Sequence, residues 1–249
     1  GSPWNPDLRD PNSDGDNLFL SSILAVDADT GAYRWHYQTT PRDRWDYTAT
    51  QQIMLADLPL GEKGASRRVI MQAPKNGFFY VLDAADGELI SATPFTNQNW
   101  TTGEFDENGR PVLIEEAVDM ALTVVIPGPT GAHNWHPMAF NPDTGLVYIP
   151  VNEIPFFYDK TRNVEDSKSW WNIGYDAAAG WPVEYPAGTV EAVADLDGGS
   201  LLAWDPVKAE PRWAVPFPLP LNGGVLSTDA GLVFQGNKFG DLVAYDAET

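Results

Sequence analysis

Ala25-Val26-Asp27-Ala28-Asp29-Thr30-Gly31, running on to Trp35, is the stretch that decides the fold. A short apolar strand ends at Asp, an acidic turn with Gly reverses the chain, and a second strand carries an aromatic back towards a core. The pattern recurs. Val81-Leu82-Asp83-Ala84-Ala85-Asp86-Gly87 repeats its first part, and Leu202-Ala203-Trp204-Asp205-Pro206 runs on to Trp213. Val243-Ala244-Tyr245-Asp246-Ala247-Glu248-Thr249 begins a further copy, and Ala139-Phe140-Asn141-Pro142-Asp143-Thr144-Gly145 carries Asn for the first Asp. One hairpin cannot bury both of its faces, whereas radially stacked sheets can. At roughly 45 residues per blade the chain would hold about five blades.

The rest of the chain agrees with an all-β reading. Gly and Pro punctuate a sequence rich in Val, Tyr, Phe and Trp, as short strands and turns require. Asp143 to Val151 reads as a hairpin with Leu146-Val147-Tyr148-Ile149 as a buried strand, and 222–226 and 231–236 read as successive strands. Helical periodicity is weak; only Ile114 to Val118 and Val190 to Ala194 suggest short helical turns. Residues 155–186 are polar and aromatic and read as a long surface loop, a feature that in compact domains is often functional.

Composition excludes several classes. A hydrophobic content of 43% with 20% charged residues is globular, not disordered. A net charge of −20 is incompatible with a nucleic-acid partner, which needs a basic surface. No apolar run is long enough to cross a bilayer. With no Cys, the chain itself holds no disulfide, thiolate zinc site, c-type haem attachment or Cys nucleophile. It opens without Met, in what reads as mid-motif, and stops at Glu248-Thr249 where the first copy continues with Gly. The expectation is one incomplete domain over 1–249, cut at both ends, so that missing targeting signals carry no weight.

Three segments carry candidate chemistry. Trp45-Asp46-Tyr47-Thr48-Ala49-Thr50 places a carboxylate between two large aromatics after Pro41-Arg42-Asp43-Arg44. Asp46 is either an acid at a solvated corner or a group that a pocket recruits as general base or metal ligand. Asn5, in Pro3-Trp4-Asn5-Pro6, is an ordinary turn residue or a neutral oxygen donor, and Lys75, before Asn76-Gly77, is a hairpin corner or a placed cation. Together an amide, a carboxylate and an ammonium could hold a cation and an anionic, polar cofactor. His133-Asn134-Trp135-His136 either lines a pocket or ends a strand, and the three histidines have no metal-ligand spacing. Asp10 to Asp16 starts like an EF-hand loop, but Ser21 stands where the bidentate Glu belongs, so it reads as an acidic surface turn. Phosphate-loop, nucleophile-elbow and dinucleotide-binding signatures are absent.

These segments resemble the pyrroloquinoline quinone (PQQ)-dependent alcohol dehydrogenases. The matching stretches are Gly1 to Asn5, Gly15 to Ser22, Trp35 to Pro41, Trp45 to Gln51, Gln72 to Asp83, Gly131 to Met138 and Asn222 to Leu226. The resemblance spans nearly the whole chain, densest over 1–95 and weaker over 155–200. It implies a partial eight-bladed β-propeller of four-stranded antiparallel blades with tryptophan-docking repeats. By residue, it implies that Asn5 and Asp46 are ligands to an active-site calcium and that Asp46 is also the general base. Lys75 would hydrogen-bond the quinone, and Asn134 and Trp135 would contact the cofactor from its other side. The implied reaction is oxidation of a small alcohol to an aldehyde or ketone by hydride transfer to calcium-bound PQQ. The implied acceptor is a c-type cytochrome or a membrane quinone, and the implied compartment is the periplasm. Lanthanide-using relatives carry an extra Asp two residues after the catalytic one. The neutral Thr48 stands there and favours calcium. A cofactor-free propeller acting as a scaffold would need the repeats but not Asn5, Asp46 and Lys75, and a related quinoprotein acting on sugars or polyols would need all of them.

Overall fold

The computed structural model describes residues 15–119, 123–158, 193–194, 196 and 198–249. Gly1 to Asp14, most of the segment read as a long loop, and 190–192 of the second helical turn lie outside the described residues.

The chain winds through a series of antiparallel sheets. β1 (Ser22–Val26) and β2 (Tyr33–Gln38) form a hairpin. β3 (Met54–Leu58), β4 (Arg67–Gln72), β5 (Phe78–Asp83) and β6 (Leu89–Pro94) make a four-stranded meander. Two small sheets follow: β7 (Thr101–Phe105) with β8 (Pro111–Leu113), and β9 (Thr123–Val125) with β12 (Phe156–Tyr158). A one-turn helix, α1 (Glu115–Asp119), connects them. β10 (Ala139–Asn141), β11 (Leu146–Asn152), β13 (Gly199–Asp205) and β14 (Glu210–Phe217) make a second four-stranded meander. β15 (Val225–Ser227), β16 (Leu232–Gly236) and β17 (Leu242–Asp246) end the chain. Among the described residues there are four blade-like sheets, two of them complete. The small sheets of β7 to β9 and β12 take up the length a fifth blade would need, and residues 156–158, read as loop, are a strand.

The repeat works through one hydrogen-bonding device. At each copy the residue ending the strand folds its side chain over the following turn. Asp27 Oδ1 accepts from the amides of Asp29 and Thr30, Asp83 Oδ1 from Ala85, and Asn141 Oδ1 from Asp143. Asp205 Oδ1 accepts from Val207 and Lys208, and Asp246 Oδ1 from Glu248 and Thr249. Asp and Asn suit this role because a short side-chain oxygen reaches the backbone two or three residues on.

The sheets stack with cores between them. In β5 the odd and even residues serve different layers. Phe78, Tyr80 and Leu82 face the cluster shared with Ile23, Trp35 and Tyr37. Phe79 and Val81 face the cluster shared with Val147, Ile149 and Trp204. β11 and β13 behave alike, sending Tyr148, Leu201 and Ala203 to a third cluster with Val225 and Val233. A strand buried on both faces is apolar throughout, which is why these runs do not alternate. On the two end sheets, Leu24, Val26, Leu226 and Leu242 are exposed.

Tryptophans dock one repeat on the next. Trp35 lies against Gly87, where an added Cβ would fall 2.5 Å from Trp35 Cε3 and 2.8 Å from Cδ2. Trp213 Nε1 donates to Ala247 O at 3.2 Å, in the equivalent turn two sheets later in the stack. Gly87 also has φ +78°, as Gly31 has φ +69°, but nothing lies within 4 Å of a Cβ at Gly31. Gly31→Ala should therefore cost about 1 kcal/mol of backbone strain alone. Gly87→Ala should cost about 2–4 kcal/mol, because the rigid indole must also move. Thermal unfolding of the two variants side by side measures the docking contact, and equal losses would remove the role given to Gly87.

Candidate active site

Asp46 sits between two anchors. Trp45 and Tyr47 are fully buried, whereas the Asp46 side chain is 29% exposed. Trp45 Nε1 donates to Ala117 O at 3.2 Å, and Tyr158 donates its hydroxyl to Trp45 O at 3.1 Å. The Tyr47 hydroxyl donates to Pro127 O, and burial raises its pKa well above the usual phenol value. Both rings pack at centroid distances of 5.4–5.5 Å with each other and with Trp100. The backbone at Asp46 has φ +65°, and Thr48 N donates to Asp46 O at 2.9 Å. Asp tolerates this left-handed region better than most residues because its short polar side chain can bond locally.

Lys75 comes from the turn between β4 and β5. Its Nζ lies 3.0 Å from Asp46 Oδ2, with the Lys75 side chain only 10% exposed and that of Asp46 29%. An ammonium this enclosed requires a charged partner, and Asp46 is that partner. This bond engages Asp46 Oδ2, and the Asp46 side chain keeps 29% of its surface exposed. Asn76, fully buried, fixes the turn. Its amide group faces Thr39 O, Thr40 Oγ1 and the Tyr80 hydroxyl, and its own carbonyl accepts from Trp100 Nε1 at 2.8 Å. Trp100 thus braces both the Asp46 loop and the Lys75 turn.

The segment Gly131 to His136 lies along this turn. Ala132 N donates to Lys75 O at 2.9 Å. A Cβ at Gly131 would sit 2.3 Å from Lys75 Cγ, so only glycine lets the lysine stem pass. His133 is buried, with Nδ1 2.6 Å from Ala73 O and Nε2 2.7 Å from His136 O, and burial lowers its pKa. It pins the segment and ends no strand. Asn134 Nδ2 donates to Thr130 O at 2.7 Å, and its Oδ1 accepts from Trp135 N at 2.8 Å. Trp135 is 76% exposed and stacks on His136 with centroids 4.1 Å apart. Thr48 is buried, with Oγ1 3.3 Å from Thr50 Oγ1.

Asp46 and Lys75 are therefore in direct contact, and Asn134 and Trp135 stand on the irregular segment bonded to Lys75 through Ala132. Asn5 lies outside the described residues. Among the described residues no three His, Cys, Asp or Glu side chains cluster to hold a metal. A cation beside Asp46 would complete its shell with neutral oxygens and ligand oxygens, a set suited to a hard ion such as calcium. A cavity of about 630 Å³ lined by Leu55, Phe140, Val207 and Lys208 contains none of these groups. Asp43, Asn76 and Trp100, which sequence reading did not single out, bond the backbone around Asp46 and Lys75.

Comparisons with known proteins bear on the family of the chain. Residues 4–104 match the family described as "PQQ: Glucose/ethanol/alcohol dehydrogenase, beta-propeller domain". The chain is 50% identical over 249 residues to quinohemoprotein alcohol dehydrogenase ADH IIB of Pseudomonas putida, covering 100% of this chain and 34% of that protein. It superposes on quinohemoprotein alcohol dehydrogenase from Comamonas testosteroni with a TM-score of 0.83 at 44% identity, covering 100% of this chain and 36% of that one. A europium-containing methanol dehydrogenase gives a TM-score of 0.77 at 31% identity, with coverages of 98% and 41%. The chain thus spans about a third of the length of the curated relatives it matches.

Proposed function

Because the chain belongs to the PQQ-dependent alcohol dehydrogenase family and carries part of its β-propeller, we propose that its protein oxidises small alcohols to aldehydes or ketones with PQQ and calcium. The observation that carries the reading is the Lys75–Asp46 pair: a nearly enclosed ammonium 3.0 Å from a carboxylate whose side chain is still 29% exposed. A scaffold propeller has no use for a charge pair maintained at this desolvation cost.

PQQ, when bound, supplies the two-electron acceptor, and calcium supplies the Lewis-acid charge. The chain supplies the rest. Asp46 Oδ1 takes the proton of the alcohol hydroxyl as general base. Lys75 holds Asp46 by Oδ2 and has two further N–H donors for oxygen that gains negative charge. Asn134 and Trp135 are the proposed contacts on the cofactor's other side, the exposed indole offering a flat apolar surface to a fused-ring ligand. Asn5 and Asp46 are the proposed protein oxygens on calcium. The neutral Thr48 is the reason to favour calcium over a trivalent ion, as less negative charge faces the metal. The proposed acceptor is a c-type cytochrome or a membrane quinone, and the proposed compartment is the periplasm.

Titration of the complete protein with PQQ in the presence of calcium, followed by quenching of tryptophan fluorescence, tests the cofactor site. Lys75→Met should weaken binding by about tenfold or more, since a charge-assisted bond is worth roughly 1.5–3 kcal/mol. No binding by the complete wild-type protein would favour the scaffold.

A further inference from the structure

Asp43 is the most deeply buried acid among the described residues, 1% exposed, three positions before Asp46. Its Oδ1 accepts the amides of Trp45 and Tyr47 at 3.0 Å each. Its Oδ2 lies 2.8 Å from Ser21 Oγ, and Ser21 Oγ lies 2.5 Å from Tyr47 O. One carboxyl group and one hydroxyl thus bind the peptide on both sides of Asp46, which itself holds φ +65°. We propose that Asp43 is a positioning residue for Asp46, its buried carboxyl group locking the backbone on either side of the base.

The protonation state follows from counting hydrogens. Ser21 has one hydroxyl proton, yet its oxygen sits within bonding distance of two groups, the Tyr47 carbonyl and Asp43 Oδ2, which in the ionised acid can only accept. A second proton satisfies both contacts: Asp43 Oδ2–H donates to Ser21 Oγ, and Ser21 O–H donates to Tyr47 O. Burial raises the Asp43 carboxyl to about 6, against the Tyr47, Ser21 and Trp45 hydrogen bonds that lower it, so the neutral acid prevails below about pH 6. The other charged groups near this loop have partners of their own. Arg44 donates to Val118 O at 2.7 Å, Arg42 Nε lies 3.8 Å from Asp16, and Lys75 pairs with Asp46.

The inference rests on Asp46 being the base, and the variants separate the two ideas. Asn at 43 places an N–H where the acid has its O–H and keeps the carbonyl that accepts both amides. In the complete holoenzyme, Asp43→Asn should keep kcat within about threefold of wild type, whereas Asp43→Ala should lower it by about 10–100-fold with KM and PQQ affinity little changed. Equal losses in Asn and Ala variants, or an Ala variant at full kcat, would overturn the proposal. If Asp43→Ala does not fold, Ser21→Ala removes one link and should lower kcat alone, and unchanged kcat there overturns it too. A second readout needs no turnover. At about pH 5, where an ordinary Asp is ionised, the infrared difference between wild type and Asp43→Asn should show the carbonyl stretch of a neutral carboxylic acid. Its absence overturns the buried acid. A wild type that reduces no dye overturns the reading of Asp46 and this proposal with it; an active wild type beside a fully active Asp43→Ala overturns the positioning alone.

Discussion

Asp46→Asn is expected to lower alcohol-dependent dye reduction by the complete holoenzyme by about 10²–10⁴-fold while leaving the fold intact, the range typical for loss of a general base. Asn suits this test for structural reasons. It tolerates the left-handed φ of +65° about as well as Asp, so the Trp45–Tyr47 backbone need not move. Its carbonyl can still accept from Lys75 Nζ and can still serve a hard cation as an oxygen ligand. What it cannot do is take the hydroxyl proton. The loss should therefore fall on kcat, with KM changing little, because alcohol binding and chemistry are affected separately. Steady-state kinetics with an artificial electron acceptor, PQQ and calcium measure this. Wild-type turnover in the variant would falsify the role given to Asp46.

The repeat was legible because it is local. Asp27, Asp83, Asn141, Asp205 and Asp246 each bond amides two or three residues on, so the motif and its structure occupy the same short stretch. The docking tryptophans were half legible: Trp35 stood out, but its seat on Gly87 is set 52 residues away by sheet stacking. The blade count was not legible, because β7 to β9 and β12 carry no repeat and length alone treats them as a blade. At the site, Asp46 was conspicuous between its aromatics, and its chemistry suggested a grouping with Lys75, 29 residues on, but nothing local in the sequence places the two in contact. Asp43 passed without notice in Pro41 to Arg44 because its one side-chain partner, Ser21, lies 22 residues upstream and its other bonds are to backbone. Asn76 passed as a hairpin corner for the same reason. Polar residues that bind main-chain groups across a core leave no periodicity behind.

Trp100→Ala should be the most damaging single change in the stability of this region, because it removes a wall common to both charged groups. Trp100 is fully buried, packs at 5.5 Å from Trp45 and Tyr47 and at 5.9 Å from Phe78, and donates to Asn76 O at 2.8 Å. Truncation should cost about 3–5 kcal/mol from lost packing and a residual cavity. Trp100→Phe keeps much of the ring but loses the N–H, leaving Asn76 O without this donor, and should cost about 1–3 kcal/mol. The two variants differ in what they disturb. Phe frees the Lys75–Asn76 turn while still supporting Trp45 and Tyr47, so it should weaken PQQ binding more than it slows the reaction. Ala undermines both walls and should do both, with turnover falling by about tenfold or more. Thermal unfolding, PQQ titration and kcat measured on the same preparations separate these outcomes. If Trp100→Phe slowed turnover and left PQQ affinity untouched, the indole would support Asp46 alone, and its bond to Asn76 would have no part in holding Lys75.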